Sequence, residues 1–321
     1  MGDDAVRGWR TDALRLRRVF ILVSAVIVLT GCSAGDGTSP TNTPDAAADR
    51  AGTVEVGGRD LYLECHGTGS PTVILVSGLG DSAEVWSTRL DEAVPETPTV
   101  YDDVADLTRV CAYDRPGTGG SRSTEVDQPT SAQISADDLH ELLIASGEQG
   151  PFVLAGHSYG GPIIRLFAGD HPDEVAGLVL VDALSEDLPS GLTAEQQAVF
   201  EQLNTPTQAG AEFFDFATLV SQMQKSAPVR DVPVIVLTAD IPQLTPEAVA
   251  SGQLPAGVDQ EFADALWAAQ LSAQNLLPAK FTDAVHVTDT RSDHYIQLGN
   301  PQLVIDSIRD VVQEVRGTDQ G

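Results

Sequence analysis

Short apolar runs alternate with helical segments along most of this chain, and this alternation restricts the possible folds more than any other feature. Five runs are apolar and rich in β-branched residues, which is typical of strands buried on both faces: 71–77, 109–113, 152–155, 178–181 and 232–238. Segments with helical spacing separate several of them, at 81–94, 131–146 and 159–169. This order predicts a mostly parallel α/β sheet flanked by helices, with functional residues at the carboxyl ends of its strands.

The pattern extends beyond these runs at both ends. Residues 53–56 and 61–65 flank a Gly-Gly turn and predict a β-hairpin before the first buried strand. After the last long run we expect a helix, a short strand and a closing helix, over 260–276, 284–287 and 301–315. The sequence therefore predicts one α/β domain over residues 52–317.

One segment interrupts the alternation. Residues 186–230 contain no strand-like run, although 193–203 has helical spacing. We predict that this segment is a small helical cap inserted into the domain. Its apolar side chains either line a pocket or pack the cap onto the sheet, and five are candidates: Phe200, Phe213, Phe214, Phe216 and Met223.

The amino terminus has the layout of a lipoprotein export signal. Five arginines precede an uncharged apolar run over 19–29, which is too short to be a permanent membrane helix. The run leads into Leu-Thr-Gly-Cys, which ends at Cys32 and resembles the bacterial lipobox. That resemblance implies a signal peptide over 1–31, lipidation of Cys32 and a lipid-anchored protein at the extracytoplasmic face of the cell membrane. Arg17 and Arg18 also resemble a twin-arginine signal, so the export route stays open.

Residues 32–51 are rich in Gly, Ser, Thr, Pro, Asp and Ala, which predicts a flexible tether between the anchor and the domain. The chain has 47 acidic and 18 basic residues and a formal charge of -29. Because such a surface repels phosphate backbones, nucleic acid is excluded as an expected partner. A neutral or cationic small molecule fits better, although an acidic surface can also serve solubility alone.

Gly156-His157-Ser158-Tyr159-Gly160 matches the G-x-S-x-G pattern between an apolar strand and a helix. A nucleophilic serine in this position must lie on a sharp turn, and glycines two residues before and after it leave room for the backbone. The following helix points its amino-terminal dipole towards the site. The pattern therefore predicts that Ser158 is a nucleophile.

With these motifs the chain resembles the α/β-hydrolase superfamily from about residue 53 to 315. Residues 76–80, Val-Ser-Gly-Leu-Gly, resemble the family's His-Gly-x-Gly turn, with Ser77 in place of the histidine. The resemblance implies an oxyanion hole formed by the backbone amides of Leu79 and Tyr159. Residues 113–121 resemble a second family turn, and we interpret its glycines as structural.

The resemblance also implies a base and an acid that follow the nucleophile in the chain. His294 is the histidine between the last strand and the last helix, so it is the predicted base. Two aspartates end buried strands between Ser158 and His294, namely Asp182 and Asp240. Asp182 is preferred, because the segment before Asp240 lacks the family's usual Gly-x-x-Asp spacing. Asp240 remains the alternative.

In this superfamily the second and fourth strands are neighbours, and Cys65 and Cys111 lie on those two strands. The resemblance therefore implies a disulfide between them, whereas two buried free thiols are the alternative. Such a bond would close a loop of about 45 residues and stabilise the fold by roughly 3 to 4 kcal/mol.

The function that the resemblance implies is hydrolysis of a carboxylic ester with an apolar group by a Ser-His-Asp acyl-enzyme mechanism. No metal or organic cofactor is expected, and the oligomeric state is left open. A peptidase or amidase on the same fold is the nearest alternative. A hydrolase-fold lipoprotein that binds without catalysis is a further alternative.

Overall fold

The computed structural model describes residues 48–91, 93–121, 129–206 and 211–318. The chain divides into two units, 1–45 and 46–321, and all described residues belong to the second. The predicted signal peptide, Cys32 and most of the predicted tether lie outside the described residues. The tether prediction extends two residues too far, since the first strand already begins at Arg50. Among the described residues, no helix combines the length and apolar character needed to cross a membrane.

Within the part of the chain that the structure describes, an eight-stranded sheet forms the centre of the domain, as the alternation predicts. Its strands are β1 (Arg50–Val56), β2 (Arg59–His66), β3 (Val73–Val76), β4 (Val110–Tyr113), β5 (Phe152–His157), β6 (Val175–Val181), β7 (Val234–Leu237) and β8 (Val285–Val287). Their spatial order is β1-β2-β4-β3-β5-β6-β7-β8. The first two pairings, β1 with β2 and β2 with β4, are antiparallel, and the other five are parallel.

Helices cover both faces of this sheet. They are α1 (Val100–Leu107), α2 (Ala132–Ser146), α3 (Gly160–Asp170), α4 (Ala194–Leu203), α5 (Phe216–Lys225), α6 (Pro246–Ala250), α7 (Gln260–Leu276), α8 (Ile296–Gly299) and α9 (Pro301–Thr318). One buried apolar cluster joins α2 and α3 to the sheet, and a second joins α1 and α9 to its other face. Since every residue of β3, β4 and β5 is buried, the continuous apolar runs are explained by burial on both faces.

The helix predicted over 81–94 is wrong. In its described residues that segment contains a 3₁₀ turn at Ala83–Trp86 and no α-helix, and the helix that precedes β4 is α1, which the sequence analysis missed. The Thr99 side chain accepts a hydrogen bond from the Asp102 amide and caps α1, so the helix begins after Pro98. Ala83 and Trp86 are buried, whereas Leu90 is exposed, so the apolar residues of this segment do not form one buried helical face.

The predicted disulfide is present. Cys65 and Cys111 are directly opposite each other in the antiparallel pairing of β2 with β4, and their sulfur atoms are bonded. Both residues are buried, so the bond joins the amino-terminal hairpin to the interior of the sheet.

The segment predicted as a cap is helical. Between β6 and β7 it contains a 3₁₀ turn at Leu188–Gly191 followed by α4 and α5. A Thr193 capping box, in which Thr193 and Gln196 exchange hydrogen bonds, fixes the start of α4. The connection between β7 and β8 contains α7, which packs against the same 3₁₀ turn. A side chain at Gly191 in that turn would collide with Ala269 on α7.

Candidate active site

Ser158 lies on a strained turn between β5 and α3. Its backbone has φ 50°, in the left-handed region, and its N–H donates to the Val181 carbonyl at 3.1 Å. A Cβ at Gly156 would lie 2.6 Å from the Gly160 carbonyl oxygen, and a Cβ at Gly160 would collide with the Val76 carbonyl. Glycine is therefore required on both sides of Ser158, as the motif predicts.

Asp182 and His294 meet beside Ser158. Asp182 follows β6, and its Oδ2 lies 2.6 Å from Nδ1 of His294, in the loop after β8. The other carboxylate oxygen of Asp182 accepts from the Ala239 amide at 3.0 Å, which fixes the orientation of the carboxylate. Ser158, Asp182 and His294 all line one cavity.

Asp240, the alternative acid, lies elsewhere. Its carboxylate accepts hydrogen bonds from the Ser292 amide at 3.0 Å and from the Thr290 hydroxyl at 3.3 Å. Burial raises the pKa of Asp240, but the donors from the 290–292 segment outweigh it, so the pKa lies below its ordinary value. Asp240 therefore holds the loop that carries His294 and makes no contact with the imidazole in the described part of the chain.

The carboxylate of Asp182 controls the charge of His294. Burial lowers the pKa of His294, but the hydrogen bond and the negative charge of Asp182 more than compensate, and the net pKa is raised. His294 is thus a stronger proton acceptor than a free imidazole, and its Nδ1 is held in the donor state by Asp182.

Leu79 and Tyr159 place their amides at the same cavity. Leu79 lies in the turn after β3, and Tyr159 directly follows Ser158 at the start of α3. Within the described residues, neither backbone N–H donates to another group of the protein. Ser77 stabilises the turn in place of the family's histidine, since its hydroxyl donates to the Ser82 carbonyl and accepts from the Trp86 indole.

Arg115 and Glu212 form a buried ion pair behind this turn, and the sequence analysis missed both. Arg115 Nε and Nη2 donate to the Glu212 carboxylate at 2.6 and 2.9 Å, while its remaining donors bind the carbonyls of Ser77 and Gly78. Glu212 also accepts from the Gly80 amide at 2.9 Å. Burial lowers the pKa of Arg115, but Glu212 raises it more, so the guanidinium stays charged. The pair thus attaches the cap to the turn that carries Leu79.

The cap also contacts the residue after Ser158. The Phe214 ring stacks on the buried Tyr159 ring, with centroids 4.5 Å apart and planes 6° apart. Of the five apolar cap residues predicted for a pocket, Phe200 and Phe214 line the cavity. Phe216 and Met223 instead pack into the core, and Phe213 borders a separate surface cleft. Some of these side chains therefore line the cavity and others pack the cap onto the sheet, so each of the two alternatives holds for part of the set.

Helix α7 supplies a wall of the cavity that the sequence analysis did not assign. Leu266, Gln270, Ala273 and Gln274 project from it into the lining. Because α7 follows β7 rather than β6, no motif near the predicted cap marks this contribution. Two connections of the chain therefore enclose the cavity: the cap between β6 and β7, and the segment between β7 and β8 that contains α7.

His157 supports the loop that carries His294. Its Nε2 donates to the His294 backbone carbonyl at 2.9 Å, and the two rings lie 4.7 Å apart. Burial lowers the pKa of His157 well below its ordinary value, and the neighbouring charge of His294 lowers it further. The ring is therefore neutral and positions His294 through a hydrogen bond, although its place in G-x-S-x-G is usually variable.

Comparison with known proteins agrees with this fold. Residues 71–306 match the model of the family described as the alpha/beta hydrolase fold. The chain belongs to the α/β-hydrolase family. Two solved structures share the fold: an esterase from Thermogutta terrifontis has a TM-score of 0.54 at 19% identity, over 84% of this chain and 99% of that one. Est816, described as an N-acyl homoserine lactone degrading enzyme, has a TM-score of 0.53 at 16% identity, over 81% of this chain and 100% of that one.

Curated relatives of this α/β hydrolase align over shorter regions. The candidate carbamate hydrolase RutD of Caulobacter sp. (strain K31) is 34% identical over 143 residues, which cover 44% of this chain and 47% of that protein. An uncharacterised protein of Schizosaccharomyces pombe is 34% identical over 140 residues, covering 38% of this chain and 26% of that protein. The chain therefore spans less than half the length of these relatives.

The Arg115–Glu212 pair gives a testable expectation for stability. In Glu212→Gln the buried guanidinium loses its counter-charge, so the free energy of unfolding should fall by about 3 to 5 kcal/mol in urea titrations. The exposed Glu201 in the same cap is the matched control, and Glu201→Gln should change the free energy by less than about 0.5 kcal/mol. A loss below about 1 kcal/mol in Glu212→Gln would contradict the buried pair.

Proposed function

We propose that this chain is a serine hydrolase that cleaves short carboxylic esters. The observation that carries the proposal is the meeting of Ser158, His294 and Asp182 at one cavity, beside two amides without partners in the described residues. A nucleophile, a base that is oriented by a carboxylate, and two donors for an oxyanion are the groups that acyl transfer requires.

In the proposed mechanism, Ser158 Oγ attacks the ester carbonyl while His294 Nε2 accepts the serine proton. Asp182 keeps the other ring nitrogen protonated and stabilises the imidazolium that forms. The amides of Leu79 and Tyr159 stabilise the oxyanion of the tetrahedral intermediate. His294 then protonates the leaving alcohol, and water attacks the acyl-enzyme by the same route in reverse.

The cavity favours a small, neutral substrate. Its volume is about 100 Å³, below the roughly 300 Å³ at which pockets for drug-sized ligands begin. Its wall combines apolar side chains such as Phe200 and Leu266 with the amides of Gln243 and Gln270, and none of the described residues that line it is a lysine or arginine. A short acyl group therefore fits better than a long one or an anionic one.

A substrate panel with an activity probe tests this function. A fluorophosphonate should label the wild type and lose its target in Ser158→Ala, whereas Ser185→Ala, which removes another serine of the cavity, should keep the label. We expect kcat/KM for p-nitrophenyl acetate to exceed that for the decanoate by at least about tenfold, and to exceed that for aryl carbamates and peptide anilides. A wild type that resists the probe would favour a non-catalytic binding protein, and faster anilide cleavage would favour an amidase.

The two aspartates give a separate prediction. Asp182→Asn should lower kcat by about 10³ to 10⁴-fold because His294 loses its orienting acceptor. The acidic limb of the pH–kcat/KM profile should also move to lower pH, since Asp182 raises the pKa of His294 and the neutral ring is the base. In the matched variant Asp240→Asn the loss should be much smaller, with the limb unchanged. A larger loss in Asp240→Asn would transfer the acid role to that residue.

We further propose that the enzyme is exported and held by lipid at the extracytoplasmic face of the membrane. The order of arginines, apolar run and lipobox before Cys32 supports this location. A covalent disulfide between Cys65 and Cys111 is consistent with an oxidising compartment.

The location is tested on intact cells. The wild-type protein should incorporate labelled palmitate and sediment with membranes, whereas Cys32→Ser should lose the label. The adjacent substitution Ser33→Ala is the control and should leave labelling intact. Equal labelling of wild type and Cys32→Ser would overturn the lipoprotein assignment.

A further inference from the structure

Three side chains that commonly bind metals meet outside the cavity. They are His140 on α2, His171 after α3, and Glu174 at the end of the 3₁₀ turn Pro172–Glu174, and their ligand atoms all lie within 4.8 Å of one another. His140 Nε2 is 3.1 Å from Glu174 Oε1, and the two imidazole rings are stacked with centroids 3.6 Å apart. None of the three lines the cavity that contains Ser158.

The backbone conformation places the side chains of His171 and Glu174 on the same side of the turn. The His171 amide donates to the Phe167 carbonyl at 2.8 Å, and the Glu174 amide donates to the His171 carbonyl at 3.0 Å. Residues three apart eclipse each other in a 3₁₀ turn. The His-x-x-Glu spacing therefore presents His171 and Glu174 to the same point, opposite His140.

An apolar base beneath the cluster restricts the rings. The fully buried Phe167 side chain contacts His140 edge-on at 5.8 Å between centroids and His171 at 5.2 Å. All three donors are half-buried, so their polar atoms remain accessible from solvent. Phe167 thus limits the side-chain freedom that the two rings lose when they turn to bind an ion.

The charges around the cluster favour a cation. Asp170 directly precedes His171 in the chain and Asp137 lies one turn before His140 on α2, whereas Asp173 is paired with Arg230 at 2.9 Å. The Gln133 amide bridges the carboxylates of Asp137 and Asp170, which holds both near this surface. With a formal charge of -29 on the whole chain, the surface attracts divalent cations.

We infer that His140, His171 and Glu174 form a zinc site. Two imidazole nitrogens and one carboxylate oxygen are a frequent three-ligand set for tetrahedral Zn²⁺, with water in the fourth position. Binding requires the stacked rings to turn so that one nitrogen of each points at the ion, and it replaces the hydrogen bond between His140 and Glu174. Each ring binds in its neutral form, with its proton on the other nitrogen.

The site joins parts of the fold that are distant from the reaction. It connects α2 to the turn between α3 and β6, and the eleven residues of α3 separate it from Ser158 by about 16 Å. The ion therefore stabilises the packing of α2 on the domain and takes no part in acyl transfer. This inference does not depend on the proposed function.

Zinc titration of the untagged protein tests the site. Competition with a chromophoric chelator at pH 7.5 should give one Zn²⁺ per chain, and thermal unfolding with zinc at 100 times its Kd should shift Tm up by roughly 5 to 10 °C. Glu174→Gln and His140→Asn should each weaken zinc binding by at least about tenfold and remove most of the shift. Because Glu174 is partly exposed, Glu174→Gln is expected to fold normally, which circular dichroism checks.

Two further variants separate this cluster from other histidines. His66 makes a 2.7 Å pair with Asp49, and among the described residues no third metal-binding side chain joins them, so His66→Asn should bind zinc like the wild type. His294→Asn should also bind zinc normally. Zinc binding that persists in Glu174→Gln and His140→Asn, or that disappears in His294→Asn, would overturn the assignment.

Discussion

The close approach of α3 to the sheet is the constraint on which the site depends. Ser158 can project from the end of β5 only because Gly156, Gly160 and Gly161 leave no side chain between the helix and its neighbours. Its positive φ is held by hydrogen bonds on both sides, from its own amide to Val181 and from the Leu184 amide to its carbonyl. The sheet thus supplies the interactions that maintain a strained residue.

Parallel strands explain why the remaining groups converge. Three strands end at the same edge of the sheet, and they are followed by Asp182, Asp240 and His294. The residues after each strand make different interactions. The end of β7 orients Asp182 through the Ala239 amide, and Asp240 fixes the loop that carries His294. The two candidate acids are therefore parts of one arrangement, in which the earlier strand contributes the carboxylate and the later strand supports it.

The sequence predicts what local patterns encode and misses what distant contacts create. Burial on both faces produces continuous apolar runs, so the strands and the turn at Ser158 were recognisable from neighbouring residues. Arg115 and Glu212 are 97 residues apart, and no spacing rule relates them. The role of His157 could not be predicted for the same reason, because it depends on a hydrogen bond to a carbonyl 137 residues away. The helix predicted over 81–94 failed because the apolar residues there have helical spacing without forming one buried face: Trp86 is buried, whereas Leu90 is exposed.

The contacts of the cap argue for a preformed cavity rather than a moving lid. Opening the cap would separate Glu212 from Arg115 and Gly80, expose a desolvated ion pair and unstack Phe214 from Tyr159. The Arg115 guanidinium would lose its counter-charge and the two donors of that side chain to Glu212, so these contacts favour the closed arrangement. The same contacts hold the turn that carries Leu79, so a cap displaced at this point would also disturb the proposed oxyanion hole. Substrate selection by the shape of the closed cavity follows from this coupling.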